Sequence, residues 1–275
     1  YDALLELRGP QDDATLLAAL GSSVAELRAK GAQDAAKGSL SALRGALSKL
    51  LEDGESSVRI AAIESLAALV GDELGPVAVG LQSSHLDLRV RAAELLSMRR
   101  DERIIDPMQA LIADKELFER LPQLIPLRRR ASAALANLGS PRLLRYFGAQ
   151  LILDEDGALR EQAARGVSNA SRSGEEGFLL DLLGHSDLAV RSWAGEGLAR
   201  LGDARALPVL TGTLLHSHPP IRIGAVLSFA ALGVDGYSGI LQGLEDPSLE
   251  VQRIVLCVLL ARDLNAYRKG EPPEL

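Results

Sequence analysis

A pair formed by an apolar residue and an arginine recurs along the chain at nearly constant intervals. The pairs are Leu27-Arg28, Val58-Arg59, Leu88-Arg89, Leu127-Arg128, Leu159-Arg160, Val190-Arg191 and Ile221-Arg222, and Val251-Gln252 is the eighth member. Successive pairs are separated by 30 to 32 residues, with the exception of one interval of 39 residues. A constant period of this length is typical of proteins that stack one small structural unit many times. The pattern therefore restricts the chain to a tandem repeat fold.

The residues that follow each pair have the same pattern in every copy. Counted from the arginine, the third position is small or β-branched and the seventh position is apolar. The third positions are Gly31, Ala62, Ala92, Ala131, Ala163, Ala194, Ala225 and Val255, and the seventh positions are Ala35, Leu66, Leu96, Leu135, Val167, Leu198, Phe229 and Leu259. These spacings place the residues on one face of an α-helix. We therefore predict one helix at each pair and call these eight segments the arginine helices.

A turn and a second amphipathic segment follow each arginine helix. Gly139 and Gly202 fit left-handed C-caps, and Leu207, Leu210 and Leu214 form the apolar stripe of one second helix. One helix pair cannot bury its apolar faces alone, whereas eight stacked pairs share a continuous core. We predict an all-α, right-handed α-solenoid of about eight helix pairs over residues 1–275, as a single domain whose second helices line the concave surface.

The fullest copy of the repeat is residues 190–210, which read Val-Arg-x-x-Ala-x-x-x-Leu-x-x-Leu-Gly-Asp-x-Arg-Ala-Leu-Pro-x-Leu. This pattern resembles HEAT-like repeats, in particular the short type of about thirty residues named after phycobilisome lyases. The resemblance covers about residues 10–265 and implies the solenoid fold. Similar repeats occur in chaperone-like lyases for bilin attachment, in enzymes that excise alkylated bases, and in interaction scaffolds. The resemblance alone does not choose among these functions.

Composition limits the possible functions. The chain has 37 acidic and 30 basic residues and a formal net charge of −7, which argues against a dedicated nucleic-acid-binding protein with a basic face. Its one cysteine, Cys257, lies in an apolar run and is predicted to be buried and reduced, which indicates a cytoplasmic protein. No apolar stretch approaches the roughly 20 residues that span a bilayer. Because the chain begins with Tyr1, we expect it to be part of a longer protein.

The sequence contains no recognisable catalytic constellation. His216 and His218 could be imagined around a metal with Asp246, but a metal site needs three or four convergent ligands, and exposed loop residues are the simpler interpretation. Trp193 adjoins a small position of its helix, so we expect it to pack between repeats or on the convex side. We predict that the protein is not an enzyme, holds no metal or cofactor and does not bind a small molecule.

Candidate binding residues lie on the central second helices and in the insertion responsible for the 39-residue interval. On the second helices the exposed positions are predicted to be Arg103, Gln109, Arg142, Arg145, Tyr146 and Gln150. The insertion, about residues 114–124, contributes Phe118, and the alternative is that this segment extends a helix and packs its apolar residues on the stack. The arginines could form a basic stripe, but neighbouring acidic residues favour a solvated face.

The anchor arginines are predicted to be structural. Arg28, Arg59, Arg89, Arg128, Arg160, Arg191 and Arg222 recur with link carboxylates nearby, and a planar guanidinium is suited to bridging carboxylates and carbonyls. The sequence therefore predicts a scaffold or adaptor that binds a partner protein or peptide on its concave surface. A nucleic-acid-binding module and a chaperone-like lyase subunit are the alternatives.

Overall fold

The computed structural model describes residues 13–36, 40–71, 73–172, 174 and 176–269. Within these ranges the chain is all-α, as predicted, with seventeen α-helices and no β-strand. None of the helices in the described ranges is long and apolar enough to cross a membrane. The chain divides into two compact units, Tyr1–Leu138 and Gly139–Leu275. The single domain over residues 1–275 stays a prediction.

The helices follow one another with short links. The first unit contains α1 (Asp13–Leu20), α2 (Ala25–Ala35), α3 (Leu40–Leu50), α4 (Ser56–Leu69), α5 (Gly75–Ala78), α6 (Leu86–Ser97), α7 (Ile105–Ala113), α8 (Lys115–Arg120) and α9 (Ile125–Leu138). The second unit contains α10 (Leu144–Leu153), α11 (Gly157–Ala170), α12 (Glu176–Leu183), α13 (Leu188–Arg200), α14 (Leu207–Thr213), α15 (Pro219–Ala231), α16 (Tyr237–Gln242) and α17 (Leu249–Lys269). The arginine helices are α2, α4, α6, α9, α11, α13, α15 and α17. Short 3₁₀ segments lie between several of these helices, at Val79–Gln82, Glu102–Ile104, Pro122–Leu124, Pro141–Leu143, Ala204–Ala206 and Gly243–Glu245.

Three of the helix pairs are offset from those expected from the sequence. In α1–α2, α3–α4 and α10–α11, the arginine helix packs far more extensively on the helix before it than on the helix after it. Each of these pairs is thus joined by the link that precedes the arginine helix, and not by the glycine turn that follows it. Successive arginine helices within a unit also pack directly against one another, as α11, α13 and α15 do.

The predicted core positions lie inside the stack. The third residue after each anchor is buried in all eight repeats. The seventh residue after each anchor is also buried, except for Leu259, which is half-buried. The predicted left-handed caps are also present, because Gly139 has φ 62° and Gly202 has φ 76°. A side chain at these two positions would strain the backbone, and this explains why glycine ends the preceding helices.

Five anchor arginines hold their own links by the same pair of hydrogen bonds. In each one, Nη1 donates to the carbonyl oxygens of the residues six and five positions earlier, at 2.6 to 3.2 Å. These arginines are Arg28, Arg59, Arg160, Arg191 and Arg222. The guanidinium therefore fixes the link between the two helices of a pair. Arg89 is not among these five, and its Nε, like that of Arg59, is buried without a hydrogen-bond partner in the described part of the chain.

The same guanidinium can also reach the next repeat. Arg28 binds Asp53 with Nε–Oδ2 at 2.7 Å, and Arg59 binds Asp87 with Nη2–Oδ2 at 2.7 Å. The hydrogen bond from Arg28 holds the pKa of Asp53 below its usual range. An anchor arginine thus fixes one link and connects it to the following one, which is the structural role expected for these residues.

The structure distinguishes the two alternatives for the insertion and corrects the expectation for Cys257. The insertion forms α8, and Phe118 is buried with only 6% of its surface exposed, beneath the guanidinium of Arg128, which lies 5.5 Å from the ring centroid. Phe118 is therefore packed onto the stack and presents little surface to a partner. Cys257, predicted to be buried, is exposed. It lies five positions after Gln252, at the offset that Glu64 and Glu94 occupy on the outer side of their helices.

Candidate functional site

The binding residues predicted from the sequence lie in two places. In the first unit, Arg103 is exposed and its Nε donates to Asp101 Oδ1 at 2.9 Å, while Gln109 is half-buried on α7. In the second unit, one short segment, 142–150, carries the other four residues. Arg142 and Arg145 are exposed and Tyr146 and Gln150 are half-buried. The ring of Tyr146 packs edge-on against that of Phe147, with centroids 5.4 Å apart.

A cavity of about 240 Å³ opens on the arginine helices of the second unit. We call it the Trp193 cavity. Its walls come from α11, α13 and α15, and the helix α14 forms its floor. The lining residues are Glu161, Arg165, Ser192, Trp193, Glu196, Leu210, Thr213, His218, Pro220, Ile221, Gly224, Ala225 and Ser228.

The cavity exists because one repeat lacks a side chain. The residue two positions after the anchor is Arg91, Arg130 and Trp193 in three of the repeats, and each of these side chains is at least partly exposed. In α15 this position is Gly224, and no atom lies within 4 Å of where its Cβ would be. The indole of Trp193 on the neighbouring helix therefore borders an open space and not another side chain.

Most neutral polar groups of the Trp193 cavity already have partners. Ser192 Oγ lies 2.9 Å from Thr213 Oγ1, Thr213 Oγ1 donates to the carbonyl of Val209, and Ser228 Oγ donates to the carbonyl of Gly224. These hydroxyl groups hold the helices together. The groups that remain to contact a ligand are the charged side chains and the indole.

Glu196 is a largely buried carboxyl group in the lining of the cavity, and its burial makes the ionised form unfavourable. Burial raises the pKa of its carboxyl, and the nearby charges of Arg200 and Arg165 oppose that shift only in part. Arg200 also donates a hydrogen bond to Glu196, and its other amino group donates to Asn169 Oδ1 at 2.8 Å. A carboxyl whose ionised form is penalised beside an open cavity is a common feature of functional sites.

The matching face of the first unit is different, because its charges neutralise one another. Arg91 of α6 bridges Glu64 of α4 and Glu94 of its own helix, with Nε–Oε1 and Nη1–Oε2 distances of 2.9 Å. Arg130 of α9 then binds Glu94 at 2.6 Å. Burial alone would raise the pKa of Glu94, but these guanidiniums outweigh it and hold the pKa below its usual range. This chain of ion pairs connects three arginine helices and is structural.

Sequence reasoning did not identify the Trp193 cavity. It treated Trp193 as a packing residue, and the missing signal was Gly224, which interrupts a column of side chains at a fixed offset. In the described residues no three histidine, cysteine, aspartate or glutamate side chains lie close enough to hold a metal ion. Asp246, considered with His216 and His218, is instead bound by Arg222 at 2.6 Å.

Comparisons with known proteins show a recurrent similarity to helical repeats. Residues 145–230 match the model of the family described as HEAT repeats. No curated protein matches the chain. Among solved structures, the chain is similar to the CpcE–CpcF complex of phycocyanin lyase from Nostoc sp., with 18% identity, 91% of this chain and 96% of that chain covered, and a TM-score of 0.49.

Two further solved structures match the chain over most of its length. Human deoxyhypusine hydroxylase is 15% identical, with 95% of this chain and 99% of that chain covered and a TM-score of 0.38. A mutant of Kap121p is 13% identical, with 94% of this chain and 33% of that chain covered and a TM-score of 0.44. The family match spans every residue that lines the Trp193 cavity. The match to the model of the HEAT repeats thus includes the whole lining of the cavity and agrees with the resemblance of the repeat pattern.

Proposed function

We propose that this protein is an interaction scaffold that binds a partner protein or peptide on the arginine helices of the second unit, around the Trp193 cavity. The observation that carries the proposal is the cavity itself, which is open, bordered by an indole and framed by charged side chains. Tryptophan side chains surrounded by apolar walls and a polar rim frequently dominate the binding energy of protein interfaces.

The packing within the second unit supports this choice of surface. The arginine helices α11, α13 and α15 contact one another directly, whereas the alternate helices α10, α12 and α14 make few contacts among themselves. Helices on the inside of a curved stack lie closer together than those on the outside. The arginine helices are therefore better placed than the second helices to form a concave groove. The second-helix surface of Arg142, Arg145, Tyr146 and Gln150 is the alternative binding surface.

A capture experiment separates the two surfaces. The wild-type protein, Trp193→Ala and Tyr146→Ala would be immobilised, exposed to lysate from the source organism, and compared by quantitative mass spectrometry. The proposal expects one defined protein to be enriched by the wild type and by Tyr146→Ala, and lost with Trp193→Ala. Loss with Tyr146→Ala alone would assign binding to the second-helix surface and refute the proposed one.

A nuclease-treated sample tests the nucleic-acid alternative. Binding that depends on phosphate contacts falls steeply with salt concentration and disappears when the nucleic acid is digested. The scaffold proposal expects the same partner with and without nuclease, because the face of the second unit carries acidic as well as basic groups around the cavity. Enrichment that nuclease abolishes would refute the scaffold proposal.

A further inference from the structure

We propose that the Trp193 cavity receives a basic side chain, lysine or arginine, from the bound partner. The inference rests on the proposed function, since it names the group that a bound chain inserts into the cavity. It is carried by three features of the lining: apolar walls, an indole, and two carboxylates supplied by different helices.

The walls suit the stem of a long basic side chain. Pro220 and Ile221 present apolar surface above the buried Leu210, and Trp193 adds its ring. Lysine and arginine bury their methylene groups on apolar surface while the charged end stays near polar groups. The face of an indole is also the most favourable aromatic surface for a cation. A volume of about 240 Å³ is large enough for one such side chain.

The charges of the lining favour a cation over an anion. Glu161 on α11 and Glu196 on α13 provide two carboxylates, while Arg165 is the one guanidinium among the described lining residues. An acidic side chain would add a third negative charge beside these two carboxylates, one of which, Glu196, is already desolvated by burial, and this is unfavourable. His218 also lines the cavity and adds positive charge only when it is protonated.

A basic side chain also compensates for the burial of Glu196. The pKa of this carboxyl is raised chiefly because burial removes water from its ionised form, and Arg200 offsets only part of that effect. An entering ammonium or guanidinium replaces the lost water with a direct ion pair. An uncharged side chain would remove still more water from Glu196 and provide no compensation.

The fluorescence of Trp193 provides a direct test, because it is the one tryptophan of the chain. The protein would be titrated at pH 7.5 with capped pentapeptides in which lysine, arginine, norleucine or glutamate stands between two glycines on each side. We expect saturable changes for the lysine and arginine peptides at up to about 10 mM, the weak range appropriate to one side chain. We expect binding at least about tenfold weaker for norleucine and glutamate.

Two substitutions confirm that the signal comes from the cavity. Gly224→Leu fills the open space and is expected to abolish the response to lysine. The matched control is Gly212→Leu, because Gly212 is also a helical glycine with no neighbouring atom within 4 Å but does not line the cavity. Glu196→Gln is expected to weaken lysine binding by about tenfold, the loss of one ion pair. The fold of each variant would be checked by circular dichroism.

The possible outcomes separate the inference from the function on which it rests. Three results would each refute the proposal that the cavity receives a basic side chain. They are equal responses to lysine and norleucine, a preference for glutamate, and no saturation with any peptide. If partner capture nevertheless depends on Trp193, the scaffold proposal stands and only the ligand class is wrong. If capture does not depend on Trp193 either, both proposals fail.

Discussion

Arg222 and Asp246 form a two-pronged ion pair in which Nε and Nη2 donate to Oδ2 and Oδ1 at 2.6 and 2.8 Å. Both side chains are buried, with 8% and 5% of their surfaces exposed. Arg222 also donates to the carbonyl oxygens of His216 and Ser217, and Asp246 accepts from the backbone of Ser248. One pair therefore connects the links that precede two consecutive arginine helices, α15 and α17.

We predict that Asp246→Asn lowers the free energy of unfolding by roughly 3 kcal/mol at pH 7, because it leaves the guanidinium of Arg222 buried without its counterion. Hydrogen bonding to Arg222 holds the pKa of Asp246 below its ordinary value near 3.8. Since the folded pKa is depressed, the stabilisation is fully present above that ordinary value and disappears as the pH falls through the lower folded pKa. Urea unfolding at pH 7, 5 and 3, followed by circular dichroism, measures both effects.

The control for this prediction is Asp203→Asn. Asp203 pairs with Arg205 two residues later in its own turn, and Arg205 is largely exposed, so the substitution should barely change the stability. A loss for Asp246→Asn that is the same at pH 3 as at pH 7 would contradict the assigned role of the ion pair.

Close packing between helices predicts a large effect at Gly166. A Cβ added there would lie 2.4 Å from the ring of Phe147, which is fully buried. We expect Gly166→Ala to destabilise the protein by about 2–3 kcal/mol, because the rigid ring must shift in a filled core. Gly212→Ala, where the added Cβ meets no atom within 4 Å, should instead stabilise α14 by up to about 1 kcal/mol. Thermal unfolding of the two variants should therefore shift in opposite directions.

The insertion gives a third prediction. Phe118→Ala removes a buried ring and its contact with Arg128, so we expect a loss of about 3 kcal/mol in the stability of α8. Hydrogen–deuterium exchange of residues 115–120 should increase sharply. Leu121→Ala is the comparison, because Leu121 is 40% exposed and should change the exchange little. Rapid exchange of α8 already in the wild type would show that the insertion is not packed as described.

The sequence predicts the repeat positions well, because a fixed spacing encodes them. The offsets of Ala194 and Leu198 from Arg191 are sufficient to identify a buried helix face, and Gly202 is sufficient to place its end. The choice of neighbour for each helix is not encoded in this way, since the links on both sides of an arginine helix are short and polar. The two alternatives for Phe118, packed or available to a partner, depend on that choice, and so does the exposure of Cys257, which the sequence alone predicted to be buried.

The Trp193 cavity was missed for a related reason. A cavity is defined by atoms that are absent, and Gly224 became informative only once its position was aligned with the side chains of neighbouring helices. A glycine in a helix is also expected in turns and caps, so its residue type alone does not indicate an open space. Comparing each offset across all eight repeats could have identified it.

The last prediction connects stability with binding at Glu196. Because burial raises the pKa of this carboxyl, its ionised form destabilises the folded protein. The penalty is absent below the ordinary pKa of glutamate and develops as the pH rises through the folded pKa. We therefore expect Glu196→Gln to be as stable as the wild type near pH 4 and more stable at pH 7.5. Glu161→Gln is the comparison, because Glu161 lines the same cavity but is exposed.

Denaturant unfolding at the two pH values measures this effect, and the same samples serve for the peptide titrations. The groups that face Glu196 are Arg200 on its own helix, Arg165 and Glu161 on α11, and His218 before α15. A variant that gains stability and loses affinity for lysine would mean that the chain retains a destabilising carboxylate for the sake of binding, a known trade-off at functional sites. A Glu196→Gln variant that is less stable than the wild type at pH 7.5 would instead make Glu196 a structural partner of Arg200.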